Sequence, residues 1–319
     1  MMPTKTKKTV SIILSLLIFL LIIGVGVKYR TELFKTLQSV NLIWVFSGLF
    51  CYLVNYLARA KRIQTYSDNT LQLFPDTLRI TTLHGFASYF LPMRSGDLSL
   101  PALLKFYHDL PLAQGSRILL RARFMDVLSL GILLSAAAIF SAPQLKLEWR
   151  LLFLGTGVSF IGFPYLFILL TRWKKEWFVK LSRKIRPDNG KQLSYPKGKE
   201  LLYSLVIWFW TGCTTFCVIR SLDIPLTFLD VWFFAAIQLP LQLLPIQGLA
   251  NSGNHEAGWL TALKLLEIAP PNAMAVTLAS HLILIGYVLL LGAFGALLST
   301  GISCRRSTKM TESKKNLIS

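Results

Sequence analysis

Apolar residues run along this chain in long blocks instead of alternating with polar ones. Residues 10–27, 151–171 and 201–219 contain no charged side chain. Each approaches or exceeds the roughly 20 residues a helix needs to cross bilayer hydrocarbon. Further apolar stretches cover residues 42–58, 126–142 and 273–300. Continuous runs predict helices and not barrel strands, because a spanning segment must satisfy its own backbone hydrogen bonds. The pattern therefore predicts an all-α polytopic membrane protein with about six full crossings.

Polar breaks between the blocks set the expected topology. Basic residues cluster at Lys5, Lys7 and Lys8, at Arg59, Lys61 and Arg62, through residues 172–199, and at Arg305, Arg306, Lys309, Lys314 and Lys315. The positive-inside rule places all four clusters on the cytoplasmic side, with both termini. Counting crossings between them leaves residues 77–124 and 226–271 each starting and ending on one side. Each reads as a helical hairpin, the first turning at 92–97 and the second at 245–256. Re-entrant and fully crossing hairpins give the same parity. The two face opposite ways, as in an inverted repeat, although the halves do not match helix for helix. The expected layout is an integral membrane domain over 1–304, containing the cytoplasmic basic loop 172–199, and a cytoplasmic basic tail over 305–319.

Composition agrees: 53% of the 319 residues are hydrophobic and 15% charged, with a mean hydropathy of +0.53, unlike a soluble domain. The net charge of +19 sits in blocks between apolar runs and not on a folded basic module, so nucleic acid is not an expected partner. Cys51, Cys213, Cys217 and Cys304 lack metal-like or CxxC spacing and read as reduced packing residues. The first apolar run follows lysines as a signal peptide would, yet it is eighteen residues long without a small-x-small cleavage site, which reads as a retained helix.

Chemistry concentrates at the two turns. Arg94 and Asp97 fall where the first hairpin should be deepest, and an ionisable residue at membrane depth is a functional candidate by default. Gly96 permits a tight turn, Asp97 or Ser99 is placed to cap a following helix, and Pro101 suits a first helical turn. A helix start beside an arginine suits a phosphate; the plain alternative is an Arg94–Asp97 pair in a wet loop. In the second turn, Asn251 to Asn254 precede His255 and Glu256 at a helix start. Glu256 is a candidate for cation binding or proton exchange, and His255 for titration near neutral pH. The string His255-Glu256-Ala257-Gly258-Trp259 lacks the second histidine of a zinc protease. No metal set, cofactor motif or catalytic triad is legible.

Arg123 and Asp126 lie three residues apart at the expected cytoplasmic edge of a crossing, where they read as a structural pair. Asp230, early in the second hairpin, and His281, inside the last helix, are candidates for a structural or proton-coupling role. The pairs Gly131 with Ser135 and Gly292 with Ala296 read as helix-packing contacts.

Three stretches carry a family resemblance: residues 85–97, containing Pro92-Met93-Arg94-Ser95-Gly96-Asp97; then Arg123-Phe124-Met125-Asp126; and Leu244-Pro245 through Gly253-Asn254-His255-Glu256. Over roughly residues 10–300 the chain resembles the lysylphosphatidylglycerol synthase transmembrane-region family, whose best-known members form the flippase half of the multiple peptide resistance factor. Arg94, Gly96, Asp97, Gly253 and Glu256 match that family's turn motifs. Leu100, Asn251 and His255 stand where it has Arg, Gly and Arg. The resemblance implies lipid handling in a prokaryotic cytoplasmic (inner) membrane. The implied partners are membrane lipids, whether phospholipid, glycolipid or polyisoprenoid-linked. It implies Arg94 on a headgroup phosphate, with Asp97 and Glu256 serving cationic headgroup parts or coupling protons, and Gly96, Gly253 and His255 completing the site. The chain ends soon after its last apolar run, so lysyl transfer is not expected of it. A membrane-embedded transferase, a noncatalytic partner of a soluble synthase, and a homo-oligomer stay open.

Overall fold

Helix dominates because the apolar blocks carry few breakers, and each polar or Pro-containing break ends an element. The computed structural model describes residues 5–67, 71, 73–140, 146–173, 198–228, 230, 231, 234, 237, 238, 247–268 and 272–298. The expected basic loop, apart from its edges, and the basic tail lie outside the described residues. So does Leu244-Pro245.

Ten helices follow in order among the described residues. They are α1 (Lys5–Lys28), α2 (Arg30–Gln38), α3 (Leu42–Tyr66), α4 (Phe74–Phe90), α5 (Ser99–His108), α6 (Leu112–Phe140), α7 (Leu147–Trp173), α8 (Gly198–Ser221), α9 (Asn254–Leu265) and α10 (Ala273–Leu297). Short 3-10 segments, Pro92–Leu98 and Leu249–Asn251, precede α5 and α9. Among the described residues five helices are long and apolar enough to cross a membrane, and a sixth crossing arises if α1 and α2, bent by 75°, form one span. The chain is thus an all-α multi-pass membrane protein.

Helix α3 packs along α8, α6 along α7, and α4 between α3 and α10. One core cluster joins Leu130, Leu134, Val218, Phe234 and Trp259; a second joins Ile63, Ile80, Leu100, Leu104 and Met125. Between α6 and α7 the backbones nearly touch. A Cβ on Gly157 would lie 2.4 Å from Ser135 Oγ, and one on Gly131 2.7 Å from the Gly157 carbonyl oxygen. Gly292 lies against Phe86 of α4. Leucine, isoleucine and phenylalanine side chains point outward from α1 and α7, as lipid-facing helices require.

The first hairpin consists of α4, the 3-10 turn and α5. Helix α5 has ten residues and is about 15 Å long, half the hydrocarbon thickness of about 30 Å, so this arm cannot cross alone.

Two boundaries differ from the sequence expectation. Helix α3 runs past Arg59 to Tyr66, and α6 begins at Leu112 instead of near 126. Charged residues had marked these as membrane edges. They do not end the helices, because they turn into the bundle and find partners there. Arg62, read as one of a cytoplasmic basic cluster, is buried on α3. Its Nη1 donates to Asp126 Oδ1 of α6 at 2.6 Å and to Ser204 Oγ of α8 at 2.8 Å. Arg121 pairs bidentately with Glu200 of α8. Arg123 and Asp126 accordingly sit midway along α6, not at its edge.

The buried pair gives a direct stability test. Arg62→Met leaves the buried Asp126 carboxylate with only its longer contact to Arg123 and should destabilise the protein by up to about 3–5 kcal/mol, whereas Arg62→Met with Asp126→Leu should recover most of that loss. Thermal unfolding in detergent compares the three proteins.

Candidate functional site

Both predicted turns are built by backbone that most residues avoid. Met93 and Arg94 adopt left-handed conformations, each with φ 55°. In the second turn Ala250 (φ 53°), Asn251 (φ 60°) and Gly253 (φ 85°) do the same. Such non-glycine positions cost on the order of 1–3 kcal/mol each and persist only where surrounding contacts hold them. Here those contacts join the two turns. The Met93 N–H donates to the Gln247 carbonyl at 2.9 Å, and the Gln247 amide donates to the carbonyls of Ser88 and Tyr89 at 3.2 and 3.1 Å. Those carbonyls end α4 and lack partners within the helix. Gly96 packs so closely on α4 that a Cβ would lie 2.1 Å from the Ala87 carbonyl oxygen. From α1, Ser15 and Ile18 lie against the second turn.

Beside the joined turns lies a cavity of about 260 Å³, bordered by α3, α4, α6, α8 and residues of both turns. Arg59, Arg62, Arg94 and Arg123 line it, with Asp97 and Asp126. Arg94 makes no hydrogen bond or ion pair with any described residue, and its Nε is buried without a partner. Asp97 does not pair with Arg94; it is bonded by Arg123 and by Ser88 Oγ, the latter at 3.3 Å. Neither Asp97 nor Ser99 caps α5, whose N-cap is Leu98. Ser99 Oγ instead meets His84 Nδ1 at 2.8 Å. Arg59 Nε donates to Asn55 Oδ1 at 2.6 Å, while the Asn55 amide donates to Ile207 O at 2.6 Å and Thr211 Oγ1 at 2.9 Å.

A second cluster surrounds the start of α9. Gly253 is its N-cap, and Glu256 Oε2 accepts the Gly253 N–H at 2.7 Å, one half of a capping box. The other carboxylate oxygen meets His281 Nδ1 of α10 at 2.5 Å. His281 Nε2 lies 2.8 Å from the Ala250 carbonyl oxygen, which only accepts, so Nε2 carries hydrogen. Nδ1 and Oε1 then share one further proton, held either as carboxylic acid beside neutral imidazole or as carboxylate beside imidazolium. Ser280 Oγ donates to Thr277 O and therefore receives the His255 Nε2–H, at 2.9 Å. The His255 ring stacks on His281 with centroids 4.5 Å apart and borders the cavity.

The structure thus brings Arg94, Asp97, Arg123 and Asp126 to the cavity wall, leaves Gly96 packed on α4, and gathers Gly253, His255, Glu256 and His281 in an adjoining cluster. Asp230 stands apart. Its carboxylate accepts from Thr227 N at 2.9 Å and Thr227 Oγ1 at 2.6 Å, the bonding of a helix-start residue. Sequence reasoning missed Arg59 and His84 as site residues and took Arg62 for a loop charge. Their only signal was polarity on otherwise apolar helix faces. Among the described residues no group of three His, Cys, Asp or Glu is placed to hold a metal.

Bilayer-length helices, two turns of broken helix and a charged internal cavity define a multi-pass membrane protein with a polar interior. The family described as lysylphosphatidylglycerol synthase TM region matches residues 9–292, and the chain belongs to that family. Its place is among membrane lipids, with a lipid-related function. No curated protein and no solved structure matches the chain.

The shared proton makes His281 a sensitive position. His281→Ala leaves the Ala250 carbonyl and Glu256 Oε1 without their partner, while Oε2 keeps the Gly253 N–H, and should cost about 1–3 kcal/mol for each buried group left unsatisfied. Glu256→Gln keeps a donor facing His281 Nδ1 and should be milder. Denaturation midpoints in detergent rank the two variants.

Proposed function

We propose that this protein carries the polar headgroup of a membrane lipid through its interior, as a flippase or lipid transporter of the prokaryotic cytoplasmic membrane. A headgroup crossing hydrocarbon needs polar partners along its path, and sites formed where broken helices meet supply them in transport proteins. The observation that carries the reading is Arg94. It is an arginine without a partner among the described residues, on a turn of broken helix, facing a polar cavity. Guanidinium binds phosphate oxygens with directional, charge-assisted hydrogen bonds. The one-proton pair Glu256–His281, one residue from the cavity-lining His255, supports coupling of that movement to proton exchange. Basic clusters at residues 5–8, 172–199 and 305–315 support an orientation with both termini in the cytoplasm.

Reconstitution provides the test. Vesicles containing the protein should transfer fluorescent phospholipid between leaflets, as read by quenching with a membrane-impermeant reductant, and Arg94→Gln should slow the transfer by about tenfold or more. Transfer no faster than in protein-free vesicles, across phospholipid and glycolipid probes, overturns the reading.

A further inference from the structure

Charge accounting at the cavity narrows the class of lipid, resting on the headgroup-binding role of Arg94 argued above. Four arginines line the cavity against two aspartates. Neither aspartate is open to a ligand cation: Asp97 is bonded by Arg123 and Ser88, and Asp126 by Arg62 and Arg123. Glu256, in the adjoining cluster, is occupied by His281 and the Gly253 N–H. The cations are less fully matched. Arg94 has no partner among the described residues, and Arg59 donates to the neutral amide of Asn55 and lies over the Tyr56 ring.

Hydrogen-bond capacity points the same way. The Nε atoms of Arg62, Arg94 and Arg123 are all buried and without an acceptor among the described residues. All three arginine side chains belong to the wall of a single cavity. A wall this rich in guanidinium groups suits an acceptor-rich ligand. Neutral hydroxyl and amide groups make up much of the remaining polar lining, including Tyr52, Thr211, Thr215 and Gln238. A phosphate with hydroxylated substituents meets both needs. An ammonium would bring a further positive charge into an arginine-rich space with no unengaged carboxylate among the described residues.

We infer that the cavity selects an anionic lipid whose headgroup combines phosphate with neutral hydroxyl groups and carries no ammonium, and that it discriminates against aminoacylated and zwitterionic lipids. Asp97 and Glu256 on this reading hold the protein's own cations, not those of a headgroup.

The purified full chain in detergent, with fluorescent phosphatidylglycerol as reporter, tests this by competition. Short-chain phosphatidylglycerol should compete about tenfold better than short-chain phosphatidylcholine or lysyl-phosphatidylglycerol. Arg94→Gln should erase most of that preference, and Arg94→Glu should reverse it in favour of the lysylated lipid. Arg59→Gln, with gel-filtration profiles for all variants, provides an independent loss of preference if an Arg94 variant misfolds. Lysyl-phosphatidylglycerol or phosphatidylcholine competing as well as phosphatidylglycerol overturns the inference. Free glycerol phosphate competing as well as the lipid overturns its lipid part. Because binding is read without transport, selective binding with no transfer in vesicles would sink the transporter reading and leave the anionic class standing. Rapid transfer of lysylated lipid would do the reverse.

Discussion

The bridge between Arg62 and Asp126 is the interaction around which the bundle is arranged. It joins α3 to α6 and, through Ser204, to α8, with both charged side chains buried. Isolated charges in such surroundings are costly, and a pair repays its desolvation only when well aligned and hydrogen-bonded. That requirement fixes the relative height of three helices. It also lets α6 run for 29 residues with Arg117, Arg121 and Arg123 on it, since Arg121 and Arg123 are matched by acids from α8 and the first turn. The cavity is the space these paired charges keep polar.

The two turns obey a related constraint. A helix that stops inside apolar surroundings leaves carbonyls and N–H groups needing partners. Here each turn helps satisfy the other: Gln247 covers the end of α4 from the second turn, and the Gln247 carbonyl receives the Met93 N–H from the first. Left-handed backbone at Met93 and Arg94, and again at Ala250 and Asn251, lets short segments make these contacts. The strain and the hydrogen bonds are parts of one arrangement.

The sequence made the crossings and the turns legible because hydropathy reports lipid contact and Gly-Pro-polar clusters report broken helix. Arg94, Asp97, Gly253 and Glu256 stood out as polar residues in apolar company. Pairing was not legible. Asp97 lies three residues from Arg94 but binds Arg123, and Arg62 finds an acid on a helix far along the chain. A charge inside a bundle and a charge at its edge look alike in one dimension; only packing separates them. His281 and Asp230 show the point from both sides: equally weak in sequence, one sits against Glu256 and the other against Thr227.

Gln247 has a mechanical consequence. Because its main chain and side chain hold the end of α4 and the first turn at three points, the two turns form a joined crossbar. Separating them would uncover the final carbonyls of α4 and release two strained backbone pairs together. Any widening of the cavity that keeps these bonds must therefore come from the helices around the crossbar. Helix α1, with Ser15 and Ile18 resting on the crossbar and most of its surface facing outward, is the element with least to lose by moving.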